Sequence, residues 1–270
     1  MKHKIITFGE LMLRLSPDNN ERFTQAHSYE AVYGGGEANT AVSLANFNVD
    51  TRYVTKLPKH TIGQSAVNSL RQYGVDVSRI VRGGDQIGIY FLEKKTSQRP
   101  TNVIYNRNGS AFALAAKEDF DWDSIFDGAT WFHFSGITPA ISDNMAEITI
   151  EACKEAKKRG ITVSCDLNYR SKLWSSEKAN KVMSEVCRYV DICIANEDDA
   201  VGIFGMDASK SDKDAGPPYA HRRIRPIRRE LILFVAGILA MIRRESRYGN
   251  GVATVPRTSR TLSYVSFCPR

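Results

Sequence analysis

Four short stretches concentrate side chains that can bind or react. The first is GGGEANTAVSLANF, Gly34 to Phe47. Glycine costs about 0.5–1 kcal/mol relative to alanine in regular structure, so three in a row before a helix need a reason. Either the chain turns tightly there, or its backbone approaches a ligand. No G-K-[ST] follows, which excludes a P-loop, and Asn39 stands where a dinucleotide fingerprint needs its third glycine. What remains is Gly34, Gly35 and Gly36 leading into a helix N-terminus, with Asn39 and Thr40 in its first turn. Backbone N–H groups there can bind a hydroxyl or an anion; a plain turn is the equal alternative. The second stretch, YNRNGSA (Tyr105–Ala111), puts Tyr105 and Arg107 two residues apart on one face of a strand. Tyr90 lies on the preceding strand. Aromatic and guanidinium groups on one face suit a sugar acid, and an amphipathic edge hairpin would look the same. The third, CDLNYRSKLW (Cys165–Trp174), brings Asp166, Asn168, Tyr169 and Arg170 just after a buried strand. Arg170 can grip a carboxylate with two parallel bonds, or the segment is a loop with a helix cap. The fourth, ANEDDA (Ala195–Ala200), sets three acids directly after a strand. That suits a hydrated magnesium ion, or simply a helix N-terminus favoured by its dipole.

The elements that must hold these stretches alternate between strand and helix. Strands are read at Ile5–Phe8, Arg52–Thr55, Trp131–Phe134, Thr162–Cys165 and Ile192–Ala195. Helices are read at Glu37–Asn46, Gly63–Tyr73, Asp143–Arg159, Glu177–Tyr189 and Glu197–Phe204, three of them closed by Gly74, Gly160 and Gly205. Repeated β–α–β units favour a mostly parallel sheet with helices on both faces. Ligands bind beyond the carboxyl ends of such strands, where Gly9, Glu10, Ser135, Gly136, Asp166 to Arg170 and Asn196 to Asp199 stand. A β insertion interrupts the pattern at Gly88–Lys94 and Asn102–Arg107. Extended Arg14–Ser16 and Tyr29–Tyr33 can join it in a small second sheet.

Composition is that of a globular α/β protein, 42% hydrophobic and 25% charged, and no stretch reaches the roughly 20 apolar residues of a membrane span. The apolar run Ile5–Phe8 is too short for a signal peptide. Five cysteines lack a C-x-x-C pair and read as reduced structural thiols of a cytoplasmic protein. His133 lies in an apolar strand and reads as core, and the other histidines lack metal-ligand spacing. The net charge of +7 is unevenly placed. From Lys213 onward 12 Lys and Arg stand against 3 Asp and Glu, whereas the first 212 residues hold 25 against 27. Lysine almost vanishes from the tail, so residues 1–212 and 213–270 read as different units.

Taken in order, FGELMLRLSP, GGGEANTAVSLANF, YNRNGSA, DLNYRSKLW and ANEDDA resemble the ribokinase-like (PfkB) sugar kinases, and within them the 2-keto-3-deoxygluconate kinases. The resemblance covers roughly residues 1–210. It implies a ribokinase-like α/β fold whose β-sheet lid spans about 12–33 and 87–108, with lids that pair in a homodimer. It also implies ATP and Mg2+ as cofactors and a small sugar acid as substrate, phosphorylated on its 6-hydroxyl; neither nucleic acid nor membrane is expected as a partner. By position, Gly34 to Gly36 and Asn39 would line the sugar, Tyr90 and Tyr105 would flank it, and Arg107, Asn168 and Arg170 would hold its carboxylate and hydroxyls. On that reading Gly35→Ala impairs binding more than folding. Asn196 and Asp199 match the ends of the family's N-x-x-E magnesium and phosphate motif, with Asp for Glu.

The family's late G-A-G-D segment supplies an anion hole and the catalytic base, and residues 200–270 contain none. The nearest glycines, in YGNGVAT, have no Asp after them. The ATP site belongs to the same missing part, and its loss coincides with the change of composition near Lys213. A truncated or aberrant C-terminal portion is therefore expected, produced by a reading-frame change or sequence error, which sequencing the codons for Ser209–Ala220 would test. The alternatives are a non-catalytic sugar-acid binder, or a basic tail (Arg222 to Arg229, then apolar Leu231–Ile242) that binds nucleic acid or a membrane surface.

Overall fold

A computed structural model describes residues 3–206 and 264–267. In chain order its strands are β1 (Lys4–Phe8), β2 (Met12–Pro17), β3 (Tyr29–Gly34), β4 (Asp50–Val54), β5 (Lys56–Leu57), β6 (Val81–Arg82), β7 (Ile89–Glu93), β8 (Asn102–Asn106), β9 (Trp131–Ser135), β10 (Thr162–Asp166), β11 (Ile192–Ala195) and β12 (Tyr264–Phe267). The helices are α1 (Gly36–Asn46), α2 (Thr61–Arg71), α3 (Trp122–Ile125), α4 (Ile137–Ala140), α5 (Asp143–Lys158), α6 (Ser176–Val186) and α7 (Glu197–Phe204).

The main sheet runs β12-β11-β10-β9-β1-β4. Its neighbours are parallel except the last pair, where β12 lies antiparallel to β11 with Phe267 opposite Ile192. A short segment of the tail thus extends the sheet at that edge. The Arg-rich run and Leu231–Ile242 lie outside the described residues.

Helices cover both faces because each sheet face is apolar. On one side Ile6, Phe8, Phe132 and Phe134 pack with Met145, Ile148 and Ala152 of α5 and Ala179 and Met183 of α6. On the other, Tyr53 packs with Ala38 and Ala41 of α1 and Ala66, Val67 and Leu70 of α2. The first core is rich in rings: Phe8 meets Phe112, Phe120 and Trp122 edge-on at 5.2–5.5 Å between centroids, an arrangement worth about 0.5–1.5 kcal/mol per pair beyond area burial. His133 is a core residue, its Nδ1 2.9 Å from the Ser164 hydroxyl. Burial pushes it down to about 3, so it stays neutral. Cys153 and Cys165 are buried and Cys187 and Cys193 partly so, and none of the four forms a disulfide among the described residues.

The predicted lid is a four-stranded sheet of order β3-β2-β7-β8. The hairpin β7–β8 joins β2 in parallel, and β3 closes the other edge antiparallel. No helix among the described residues is long and apolar enough to cross a membrane.

Candidate active site

The lid hairpin sets the first group of side chains. Tyr90 and Tyr105 are direct cross-strand partners, their ring centroids 5.9 Å apart. The Arg107 guanidinium carbon lies 5.9 Å from the centre of the Tyr105 ring. A β-carbon built on Gly34 would stand 3.7 Å from the Tyr90 hydroxyl, so the lid face looks onto the glycine run. Helix α1 begins there with Gly35 as an extended N-cap that offers no side-chain cap. A helix start without a side-chain cap can receive an outside acceptor, although the Glu37 N–H bonds its own carboxyl, and Asn39 is exposed in the first turn. Ala38, Ala41 and Leu44 bury the opposite side and anchor the helix.

The three glycines have three different surroundings. A β-carbon at Gly35 would fall 2.2 Å from the Glu10 carbonyl oxygen. The need for glycine there comes from backbone packing, so Gly35→Ala burdens folding itself, against the expectation that it impairs binding more than folding. Gly36 has nothing within 4 Å of the same position, so the open space lies above it. Gly34 borders the tyrosine.

Two buried acids organise this region. Glu10 is almost fully buried, and its carboxyl accepts from Arg107 and, at 2.5 Å, from the Ser110 hydroxyl. Glu37 accepts from the Ser135 N–H at 2.9 Å. Gly9 makes room for it, since a β-carbon there would sit 2.3 Å from a Glu37 oxygen. Burial raises both carboxyls above their ordinary range, against the pull of Ser110 and Arg107 on Glu10 and of Ser135 on Glu37. Glu10 stood among the polar residues after a strand. Glu37 was missed, although its spacing from Ala41 and Leu44 places it on the apolar stripe of α1. Arg107 is therefore tied by its Nη2 to Glu10.

A second group sits at the ends of β10 and β11. Asn196 and Asp199 form a reciprocal cap on α7: the Asp199 N–H donates to Asn196 Oδ1 at 2.7 Å, and Asp199 Oδ2 accepts from the Asn196 N–H at 3.2 Å. Asp199 Oδ1 accepts from the Tyr169 N–H at 2.8 Å. Each Asp199 oxygen thus accepts one backbone N–H in a buried place, which makes the residue a helix cap and leaves a further lone pair on each oxygen. Among the described residues no three His, Cys, Asp or Glu groups converge to hold an ion. Asn168 adopts φ 38, a left-handed conformation that Asn tolerates better than most residues. It turns the chain so that Arg170 is exposed beside Asp166. The Asp166 carboxyl is pushed up to about 7 by burial first, then by the charges of Asp199 and Glu37, against the pull of Arg170. Glu37 links the two groups electrostatically, since it also feels the charge of Arg107.

The chain is similar to a 2-dehydro-3-deoxygluconokinase of known structure from Thermotoga maritima, with 44% identity, a TM-score of 0.75, and coverage of 90% of this chain and 69% of that one. It is 37% identical over 209 residues to a 2-dehydro-3-deoxygalactonokinase of Haloferax volcanii, covering 77% of this chain and 65% of that protein. A Bacillus subtilis 2-dehydro-3-deoxygluconokinase is 28% identical over 179 residues, 55% of its own length. The chain thus spans only 65% and 55% of these two curated relatives. The pfkB family of carbohydrate kinases matches residues 2–223, most of the chain, and with the parallel sheet, the lid and the glycine approach in place, the chain belongs to that family.

Proposed function

We propose that this chain is the sugar-binding part of an ATP-dependent kinase for a 2-keto-3-deoxy sugar acid, with the sugar's 6-hydroxyl as acceptor. The observation that carries the reading is the meeting of Tyr90, Tyr105 and Arg107 with the glycine approach to α1. The two rings, side by side on the lid, would form one wall against the sugar body, and the α1 helix start and Asn39 would take its hydroxyls. Arg107, through the guanidinium nitrogens that Glu10 leaves, would hold the acid group with Arg170 and Asn168. Relatives named for the gluconate and galactonate forms make both epimers candidates.

ATP would supply the phosphoryl group, and Mg2+ would enter with its phosphates near Asn196 and Asp199. Phosphoryl transfer depends on positioning and charge stabilisation, and a general base contributes about 10²–10⁴-fold. With no G-A-G-D segment in residues 200–270, the chain as written is expected to bind the sugar acid without transferring phosphate to it. Calorimetry with 2-keto-3-deoxygluconate, its galactonate epimer and ATP, alongside a coupled assay of ADP release, tests this. Sugar-acid heat without sugar-dependent ADP is the expected result. Turnover at an ordinary kinase rate, or no binding of either epimer, overturns it.

A further inference from the structure

We infer that Arg14 is a further substrate-reading residue, a second lid cation that holds the carboxylate of the sugar acid and so separates acids from neutral sugars. The inference rests on the sugar-acid reading above. It begins with register. Arg14 on β2 lies directly opposite Tyr90 on β7, and Tyr90 lies directly opposite Tyr105 on β8. Residues that face each other across a ladder point to the same side of the sheet. Arg14, Tyr90 and Tyr105 therefore form one row across the lid, on the side where the Tyr90 hydroxyl approaches Gly34. Burial raises the Tyr90 hydroxyl, against the pull of the Arg14 charge and of a side-chain hydrogen bond that Arg14 gives it.

The bonding of Arg14 is incomplete. Its Nε is buried and has no hydrogen-bond partner among the described residues. An unsatisfied buried donor of this kind is costly, and a ligand acceptor would relieve it. Its neighbouring carboxylate, Glu30, is 3.7 Å from Nη2, about half exposed, and shared with Lys94 Nζ at 3.0 Å. Exposed pairs of that length contribute little. The other arginine of this face, Arg107, has a buried Nε without a partner too, but its charge is held by a buried carboxyl through Nη2. Arg14 thus keeps more of its charge for an incoming anion. A planar carboxylate offers two oxygens to Nε and a terminal nitrogen along one guanidinium edge.

The test is calorimetry of the full chain, wild type and Arg14→Gln, with 2-keto-3-deoxygluconate and with its neutral primary amide. Arg14→Gln is expected to weaken the acid about tenfold or more and to leave the amide within about twofold, with an unchanged thermal midpoint. Arg14→Lys keeps the charge but loses the planar fork, so it should weaken the acid by about threefold or more. This second variant decides the matter if Arg14→Gln does not fold. Equal losses for acid and amide would make Arg14 a support for Tyr90 and overturn the inference. So would acid binding as tight as wild type in both variants, while leaving the sugar-acid reading intact. A wild-type chain that binds neither ligand removes both.

Discussion

The Arg107 guanidinium donates to the Glu10 carboxyl across 97 positions of sequence, and the two side chains are only 9% and 3% exposed. Ser110 donates to the other oxygen of the same carboxyl. The residue just past the last lid strand is thereby tied to the turn that leaves the first strand of the main sheet. Gly88 is part of the same arrangement, because a β-carbon there would sit 2.6 Å from Glu10 Oε1.

Arg107→Ala therefore has two expected effects. It leaves a buried carboxyl without its cation, which typically costs about 3–5 kcal/mol, measured as a loss of unfolding free energy in urea. The double variant Glu10→Gln, Arg107→Gln should recover much of that loss. Below the unfolding transition, Arg107→Ala should also weaken sugar-acid binding by about 1.5–3 kcal/mol. A single variant as stable as wild type would show that the pair does not hold the lid.

Gly35→Ala and Gly36→Ala should behave oppositely. The first sets a β-carbon against the Glu10 carbonyl, and overpacking of this kind costs about 1–3 kcal/mol. The second meets nothing and gains helix propensity of up to about 1 kcal/mol, yet it narrows the approach to the α1 N–H groups. Thermal unfolding should rank Gly36→Ala above Gly35→Ala, while calorimetry should show sugar affinity falling in Gly36→Ala. Undiminished affinity there would make the glycine run a plain turn.

Asp166→Asn should change the pH dependence of stability. The folded chain holds the Asp166 proton more tightly than the unfolded chain does, since its carboxyl titrates near 7 when folded. That contribution is full below about pH 4 and is lost as the pH rises through about 7. The Asn variant should match wild type near pH 4 and exceed it by about 2–4 kcal/mol at pH 8. His133 acts in the opposite sense, costing stability as the pH falls below its unfolded value, but it is common to both proteins and cancels in the difference. Parallel stability curves from pH 4 to 8 would place the Asp166 carboxyl in water.

Tyr105→Ala should separate recognition from folding. The residue is 54% exposed, so its loss should cost about 1 kcal/mol or less of stability. Sugar affinity should fall in Tyr105→Ala and persist in Tyr105→Phe, which keeps the ring. Equal affinity in all three chains would remove the ring from the site.

The order and type of the longer elements were legible in the sequence because their signals are local, whereas the short α3, α4, β5, β6 and β12 were not read. Apolar spacing marked the strands and helices, and Gly74, Gly160 and Gly205 closed helices by adopting positive φ. Tyr90 and Tyr105 were legible as residues on the two arms of one hairpin, but their direct pairing came from the register of the folded sheet. The meeting of Glu10 with Arg107 was not legible, nor was the burial of Glu37 beneath Gly9. Those contacts depend on which strand ends the sheet order brings together, and burial sets their strength. Asp199 carries the same lesson. Its residue type suggested a metal ligand, and only the tertiary structure shows its two oxygens accepting from the Tyr169 and Asn196 N–H groups, because a buried carboxylate at a helix start satisfies such donors.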